Sequence, residues 1–279
     1  MVETFPRTTD APKQSPQFWV AHKDRYLRQL LIRDIEAVTG RALIVYFGDD
    51  ISIDCQINSG DDIYIAELLQ ATGGKPVDLM LETVGGETDA TEKICSLLRA
   101  NGLDLRVVVP RRAKSNGTVI ALAAKEIVMG MESELGPIDP SMGGVPVEFI
   151  LNAPAGTIPP IQVQAAAAFR KQTEKLAKTL LSSGMLQGKA QTVVDALVEK
   201  IATRNVFHSH GSVIDAIEAE NLGLNITPLL GTDPLWQKFI LLRAMYQFDC
   251  REQGYLKIFE GSHVSVVVPV PPAAPPPGP

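Results

Sequence analysis

Four largely apolar runs, separated by stretches of helical or turn character, constrain this chain more than any other feature. "ALIVYF" (Ala42–Phe47), "VDLMLET" (Val77–Thr83), "LRVVVP" (Leu105–Pro110) and "EIVM" (Glu126–Met129) have the length of strands but do not alternate apolar with polar residues. A strand with one wet face alternates, whereas a strand buried on both faces does not. Between them, "DDIYIAELLQA" (Asp61–Ala71) reads as a helix capped by Asp61 or Asp62, and "ETDATEKICSLLRA" (Glu87–Ala100) as a second with acids in its first turn. "AKSNGTVIALAA" (Ala113–Ala124) reads as a third. This order predicts an α/β fold, a parallel sheet flanked by helices. From about residue 159 the pattern turns helical, over 162–182, 189–201, 212–221 and 234–250.

The ends differ from the middle. Residues 1–16 are rich in Pro, Thr and polar groups and predict a loose arm. The run "VVPVPPAAPPPGP" from Val267 denies the backbone its donors, so residues 259–279 are expected to form a disordered proline-rich tail. That leaves 17–258 as one domain. A net charge of −6, with no long basic run, argues against a nucleic-acid partner. No apolar run approaches the ~20 residues of a membrane span. The N-terminus lacks a charged-then-apolar leader pattern, so a cytoplasmic chain is expected. Cys55, Cys95 and Cys250 have neither disulfide-framework nor zinc spacing, and no HExxH occurs, so no metal or other cofactor is expected.

Two loops that follow strands carry the chemistry. In "ETVGGE", the pair Gly85–Gly86 frees backbone N–H groups to face a ligand without a Cβ in the way, although a plain tight turn would read the same. In "RRAKSNGT", Ser115 stands where a helix begins, as an N-cap or as a nucleophile. Ligands of open α/β sheets bind outside the carboxyl ends of the strands, and both loops lie there, on consecutive strands. Backbone donors beside a serine hydroxyl are the minimum set for acyl transfer.

The blocks "LETVGGETDA", "VVVPRRAKSNGTVIALAAKEIVMGMESELGPIDP" and "SHGSVIDAIEAENLGL" closely resemble the serine dehydrogenase proteinase family, of Clp-protease/crotonase fold and related to signal peptide peptidases. The resemblance covers roughly residues 25–226. It implies an ATP-independent serine endopeptidase, in a homo-oligomer acting on peptide or protein, with Ser115 as nucleophile. The N–H groups of Gly86 and Asn116 would form the oxyanion hole, with Gly85 shaping the loop. The chain departs from the family at Asn116, where alanine is common, and at Gly211, where an acid often follows the histidine. A crotonase-type acyl-thioester enzyme on the same fold, or an inactive scaffold, are the alternatives.

A serine needs a base within hydrogen-bond reach. Lys171, Lys175 and Lys178 share one face of the 162–182 helix, opposite Phe169, Leu176 and Leu180. Alignment with relatives puts Ala168 where the family lysine is expected, which leaves Lys171, one turn away, as the choice. His210 is the rival base, with Asp139 of "LGPIDP" as its orienting acid. Lys114 adjoins Ser115 but points away in an extended segment, and is read as a source of positive potential.

Overall fold

The computed structural model describes residues 15–50, 53–100 and 104–271. Helices α1 (Pro16–Ala21) and α2 (Lys23–Thr39) come first, then strand β1 (Ala42–Gly48), α3 (Asp61–Ala71), β2 (Val77–Glu82), α4 (Thr88–Ala100) and β3 (Leu105–Val109). A short strand β4 (Arg112–Ala113) leads into α5 (Asn116–Ala121), followed by β5 (Glu126–Met129) and β6 (Glu134–Leu135). The chain continues through the hairpin β7 (Ser141–Met142) and β8 (Val145–Pro146), then α6 (Val147–Leu151), α7 (Pro160–Ser183), α8 (Gln191–Ala202) and α9 (Ala216–Asn221). Strand β9 (Ile226–Pro228), helix α10 (Pro234–Gln253) and strands β10 (Tyr255–Gly261) and β11 (Ser265–Pro269) complete it.

The main sheet has seven strands in the order β11-β10-β1-β2-β3-β5-β9. Strands β1, β2, β3, β5 and β9 run parallel, with Val45 opposite Met80 and Val108 opposite Val128. Burial on both faces explains the largely apolar, non-alternating runs, because successive side chains feed opposite cores. Leu43, Val45 and Phe47 pack with Ile32 and Ile35 of α2 and with Trp236, Phe239 and Tyr246 of α10. Ile44 and Tyr46 join Leu79, Leu81, Val107 and Val109 against α3, α4, α7 and α8. Each such aliphatic side chain contributes about 1.5–3 kcal/mol by leaving water.

Three expectations are corrected. The sheet is mixed, because β10 pairs antiparallel with β1 and β11 antiparallel with β10. The expected tail from 259 therefore starts too early: Phe259 and Glu260 are fully buried in β10, and Ser265–Pro269 are paired. Asp61 does not cap α3; Gly60 occupies the cap position, and the Asp61 carboxylate accepts from Tyr46 Oη at 2.7 Å and from Lys257 Nζ at 2.8 and 2.9 Å. Residues 1–14 of the expected arm and 272–279 of the expected tail lie outside the described residues. Among the described residues, no helix is long and apolar enough to cross a membrane, and no group of three or more His, Cys, Asp or Glu could hold a metal ion.

Candidate active site

The parallel register of β2 and β3 carries both loops to the same edge of the sheet. Beyond the strand ends the two connections are laced together, with Thr83 N donating to Arg112 O at 3.1 Å and Lys114 N to Thr83 O at 3.0 Å. The lacing brings Gly85 directly against the serine. A Cβ built on Gly85 would sit 2.7 Å from Ser115 Cβ, 2.9 Å from Lys114 O and 3.2 Å from Asn116 N.

Ser115 has φ 53° and ψ −120°, and it is the only non-glycine residue with positive φ among the described residues. Gly117 N donates to Lys114 O at 2.7 Å, closing a four-residue turn with Ser115 in its second position. Those angles are the glycine-favouring position of a type II′ turn. An L-residue held there is strained by about 1–3 kcal/mol and persists only where its surroundings enforce it. Ser115 occupies the cap position of α5, yet its side chain makes no capping hydrogen bond. The residue is half-buried. An N-cap role thus does not account for this serine.

The diglycine turn is pinned from the other side by Ile57. Ile57 N donates to Gly85 O and Glu87 N donates to Ile57 O, both at 2.8 Å. A Cβ on Gly86 would meet Ile57 O at 2.2 Å and Ile57 N at 2.4 Å, so no other residue fits there. Gly85 N is satisfied by Thr83 Oγ1 at 3.1 Å. The N–H groups of Gly86 and Asn116, by contrast, have no protein acceptor among the described residues. The Asn116 side chain turns inward and donates to Gly86 O at 2.5 Å and Thr88 Oγ1 at 3.3 Å. It braces the diglycine turn against the start of α5.

His210 and Asp139 meet although 71 residues separate them: His210 Nδ1 lies 2.7 Å from Asp139 Oδ1. Asp139 is buried, and its other oxygen accepts from Arg204 Nε at 2.9 Å. Arg204 also lies 5.1 Å over the Phe149 ring and donates to His208 O at 3.0 Å. A carboxylate bound at Nδ1 leaves Nε2 as the open nitrogen of His210. The Ser115 hydroxyl makes no hydrogen bond to that ring, or to any other group, among the described residues.

Lys114 connects the two regions. Its Nζ donates to Ser212 O at 2.7 Å, Leu135 O at 3.2 Å and Gly211 O at 3.5 Å, and pairs with Glu134 at 3.3 Å. Fully engaged in this way, the amine ties the serine turn to the loop carrying His210. Leu135 and Ile214 reinforce the join by exchanging backbone hydrogen bonds at 2.9 and 3.1 Å. Lys171 and Lys175 are exposed, lining a groove between α4 and α7 with Glu92 and Arg99. Lys178 pairs with Asp195 at 2.9 Å, which raises its pKa, the wrong direction for a base. The bracing role of Ile57, the Lys114 tie and the Arg204 support had no signal in the sequence, since each depends on partners distant along the chain.

A strained serine on a strand-to-helix turn, backed by a glycine pair at the edge of a helix-flanked sheet, places the molecule among α/β proteins that present a serine at the sheet's carboxyl edge. More narrowly, the chain belongs to the family of ClpP-like SDH-type serine proteinases, whose model matches residues 24–231. It is 33% identical over 187 residues to an uncharacterized protein of Methanocaldococcus jannaschii, covering 64% of this chain and 62% of the relative. A second uncharacterized protein of that organism is 41% identical over 78 residues, 28% of this chain and 27% of its own length. The chain thus spans less than two thirds of either relative. Among solved structures, ClpP1 from Listeria monocytogenes is similar at TM-score 0.47 and 18% identity, covering 75% of this chain and 99% of that one. A mutant membrane-bound stomatin-specific protease in complex with a substrate peptide is similar at TM-score 0.44 and 16% identity, over 77% and 83% of the two chains.

Proposed function

We propose that this protein is a serine endopeptidase that cleaves peptide bonds through an acyl-enzyme on Ser115. The reading is carried by one observation: Ser115 is forced into a glycine-like conformation beside two backbone N–H groups, of Gly86 and Asn116, that have no protein acceptor among the described residues. Strain at Ser115 costs stability, and the open donors beside it are what a developing oxyanion would use.

In the proposed mechanism His210 Nε2 takes the Ser115 proton as the hydroxyl oxygen attacks the scissile carbonyl. Asp139 holds the Nδ1 proton, fixing the tautomer and stabilising the imidazolium. The tetrahedral oxyanion accepts from the Gly86 and Asn116 N–H groups. The imidazolium then protonates the leaving amine, and water, deprotonated by the same ring, hydrolyses the ester. His210 supports this role better than Lys171, because it has an orienting carboxylate and stands on the loop that Lys114 ties to the serine turn. The hydrogen bond from Ser115 to His210 would form in the substrate complex, where catalytic contacts tighten.

The test is covalent labelling with a fluorophosphonate, the adduct located by mass spectrometry, with hydrolysis of a quenched fluorogenic peptide library alongside. Labelling confined to Ser115, and lost in Ser115→Ala together with hydrolysis, is the expected result. Unlabelled Ser115 in a protein that nevertheless cleaves peptides would overturn the assignment, and an inert protein would leave the fold as a scaffold.

A further inference from the structure

We infer that Lys257, on strand β10 beyond the stretch shared with the family, is a positioning residue that holds the diglycine turn in the geometry that frees the Gly86 N–H. This rests on the proposed oxyanion role of that N–H.

Lys257 is a cation with 1% of its surface exposed, in a strand that borders β1. Its Nζ lies 2.8 and 2.9 Å from the two oxygens of Asp61, which is itself buried. With its amide assigned in the orientation that satisfies both ends, Asn58 accepts from the same Nζ at 3.0 Å and donates to Ser59 O at 3.2 Å. Asp61 further accepts from Asn58 N at 3.0 Å and from Tyr46 Oη at 2.7 Å. The ammonium therefore has three protein acceptor atoms, and the Asp61 carboxylate is bound by three different groups. A buried ion pair of this kind, fully hydrogen-bonded, adds little net stability over apolar packing. What it does supply is a fixed geometry for the segment around it.

That segment is the 57–61 turn. One residue before Asn58, Ile57 grips the diglycine turn through both of its backbone groups, and its backbone fills the space where a Gly86 side chain would stand. A second grip comes from Ser59 N, which donates to Glu87 at 3.2 Å. The chain of contacts thus runs from Lys257 Nζ through Asn58 and Asp61 to Ile57 and then to Gly85, Gly86 and Glu87. If the turn relaxes, Ile57 moves, and the Gly86 N–H loses its aim.

The decisive variants are Asn58→Ala, which removes the Nζ acceptor on the turn but leaves the ion pair, and Lys257→Met combined with Asp61→Asn, which removes the charge from both partners. Lys257→Met alone would strand a buried carboxylate, and is not used. Hydrolysis of a fluorogenic peptide and hydrogen exchange at the Ile57 and Glu87 amides are measured on each. The double variant is expected to melt cooperatively, lose about a hundredfold in kcat with KM within twofold, and exchange those amides about tenfold faster, as for a misplacement near 1 Å. Asn58→Ala is expected to show the same pattern at lower amplitude. Unchanged kcat and exchange in either folded variant would overturn the inference, as would a rise in KM at constant kcat. Should the wild-type protein prove inert, the exchange measurement still tests the brace, so failure of the peptidase reading is told apart from failure of this one.

Discussion

Replacing Gly85 with alanine puts a methyl group into the contact on which the proposed site depends. The new carbon would lie 2.7 Å from Ser115 Cβ and 2.9 Å from Lys114 O. Carbon atoms rest at about 3.5–4.0 Å, so one side must give by about 1 Å. Gly85 also has φ +103°, outside the comfortable range of an L-residue. Backbone strain of about 1–3 kcal/mol and a similar overpacking cost sum to about 2–6 kcal/mol, partly relieved by movement of the serine turn. A central value of about 3 kcal/mol lowers Tm by about 6–12 °C in a chain of this size. A shift of about 1 Å at the nucleophile costs about a hundredfold in reactivity. The assay pairs thermal melting with the second-order rate of fluorophosphonate labelling at Ser115. Gly40→Ala is the control: φ is +69° but nothing lies within 4 Å, so it should lose about 1–2 kcal/mol and keep its labelling rate. If Gly85→Ala labels within threefold of wild type, the serine is not held by this contact and the reasoning fails.

Ser115→Gly should stabilise the protein by about 1 kcal/mol while abolishing hydrolysis, because glycine adopts the same backbone angles without strain; a lower urea midpoint would contradict this. Asp139→Asn, which leaves the His210 tautomer unfixed, should lower kcat at neutral pH by about 10³–10⁴, the scale known for such triads, whereas Lys171→Ala should stay within twofold; the reverse ranking would return the base to lysine. Burial pushes the Cys55 thiol up to about 11 and those of Cys95 and Cys250 up to about 12. A raised folded pKa means that stability is intact below the ordinary value of 9.0 and declines as pH climbs from there toward 11–12, since only the unfolded thiols ionise. At pH 10 the loss is about 1.4 kcal/mol for each buried thiol, to be read from urea midpoints between pH 8 and 10.5. The native thiols should also resist iodoacetamide at pH 8.

The central strands were legible because burial on both faces leaves a run of apolar residues that few other structures produce. The closing strands were not, for a physical reason visible in "YLKIFEG". Lys257 and Glu260 break the apolar pattern, yet both are buried, neutralised by Asp61 and by Arg28, whose Nε lies 2.8 Å from Glu260. Paired charges inside a sheet look like a polar surface segment when only the strand itself is read. Asp61 misled in the same way: its place at the start of α3 suggested a cap, while its partner stood 196 residues away. Of the candidate site, the approach of Gly85 to Ser115 followed from the rule that consecutive parallel strands end at one edge. The His210–Asp139 pair could be named only as an option, since nothing local ties two loops so far apart. The inward turn of the Asn116 amide was hidden because its shorter hydrogen bond goes to a backbone carbonyl, and backbone groups leave no trace in residue identity.

The antiparallel strand β10 enters the sheet between β1 and β11, and Gly48 is paired with Lys257. During synthesis, then, β1 leaves the ribosome with one border unclaimed and stays so until about two hundred more residues have emerged. A polypeptide halted where the family match ends would expose that border permanently, a row of free amides and carbonyls beside Ile44 and Val45 that invites pairing between molecules. Pairing of β10 with β1 is what closes that border, and it hands the sheet's edge to β11.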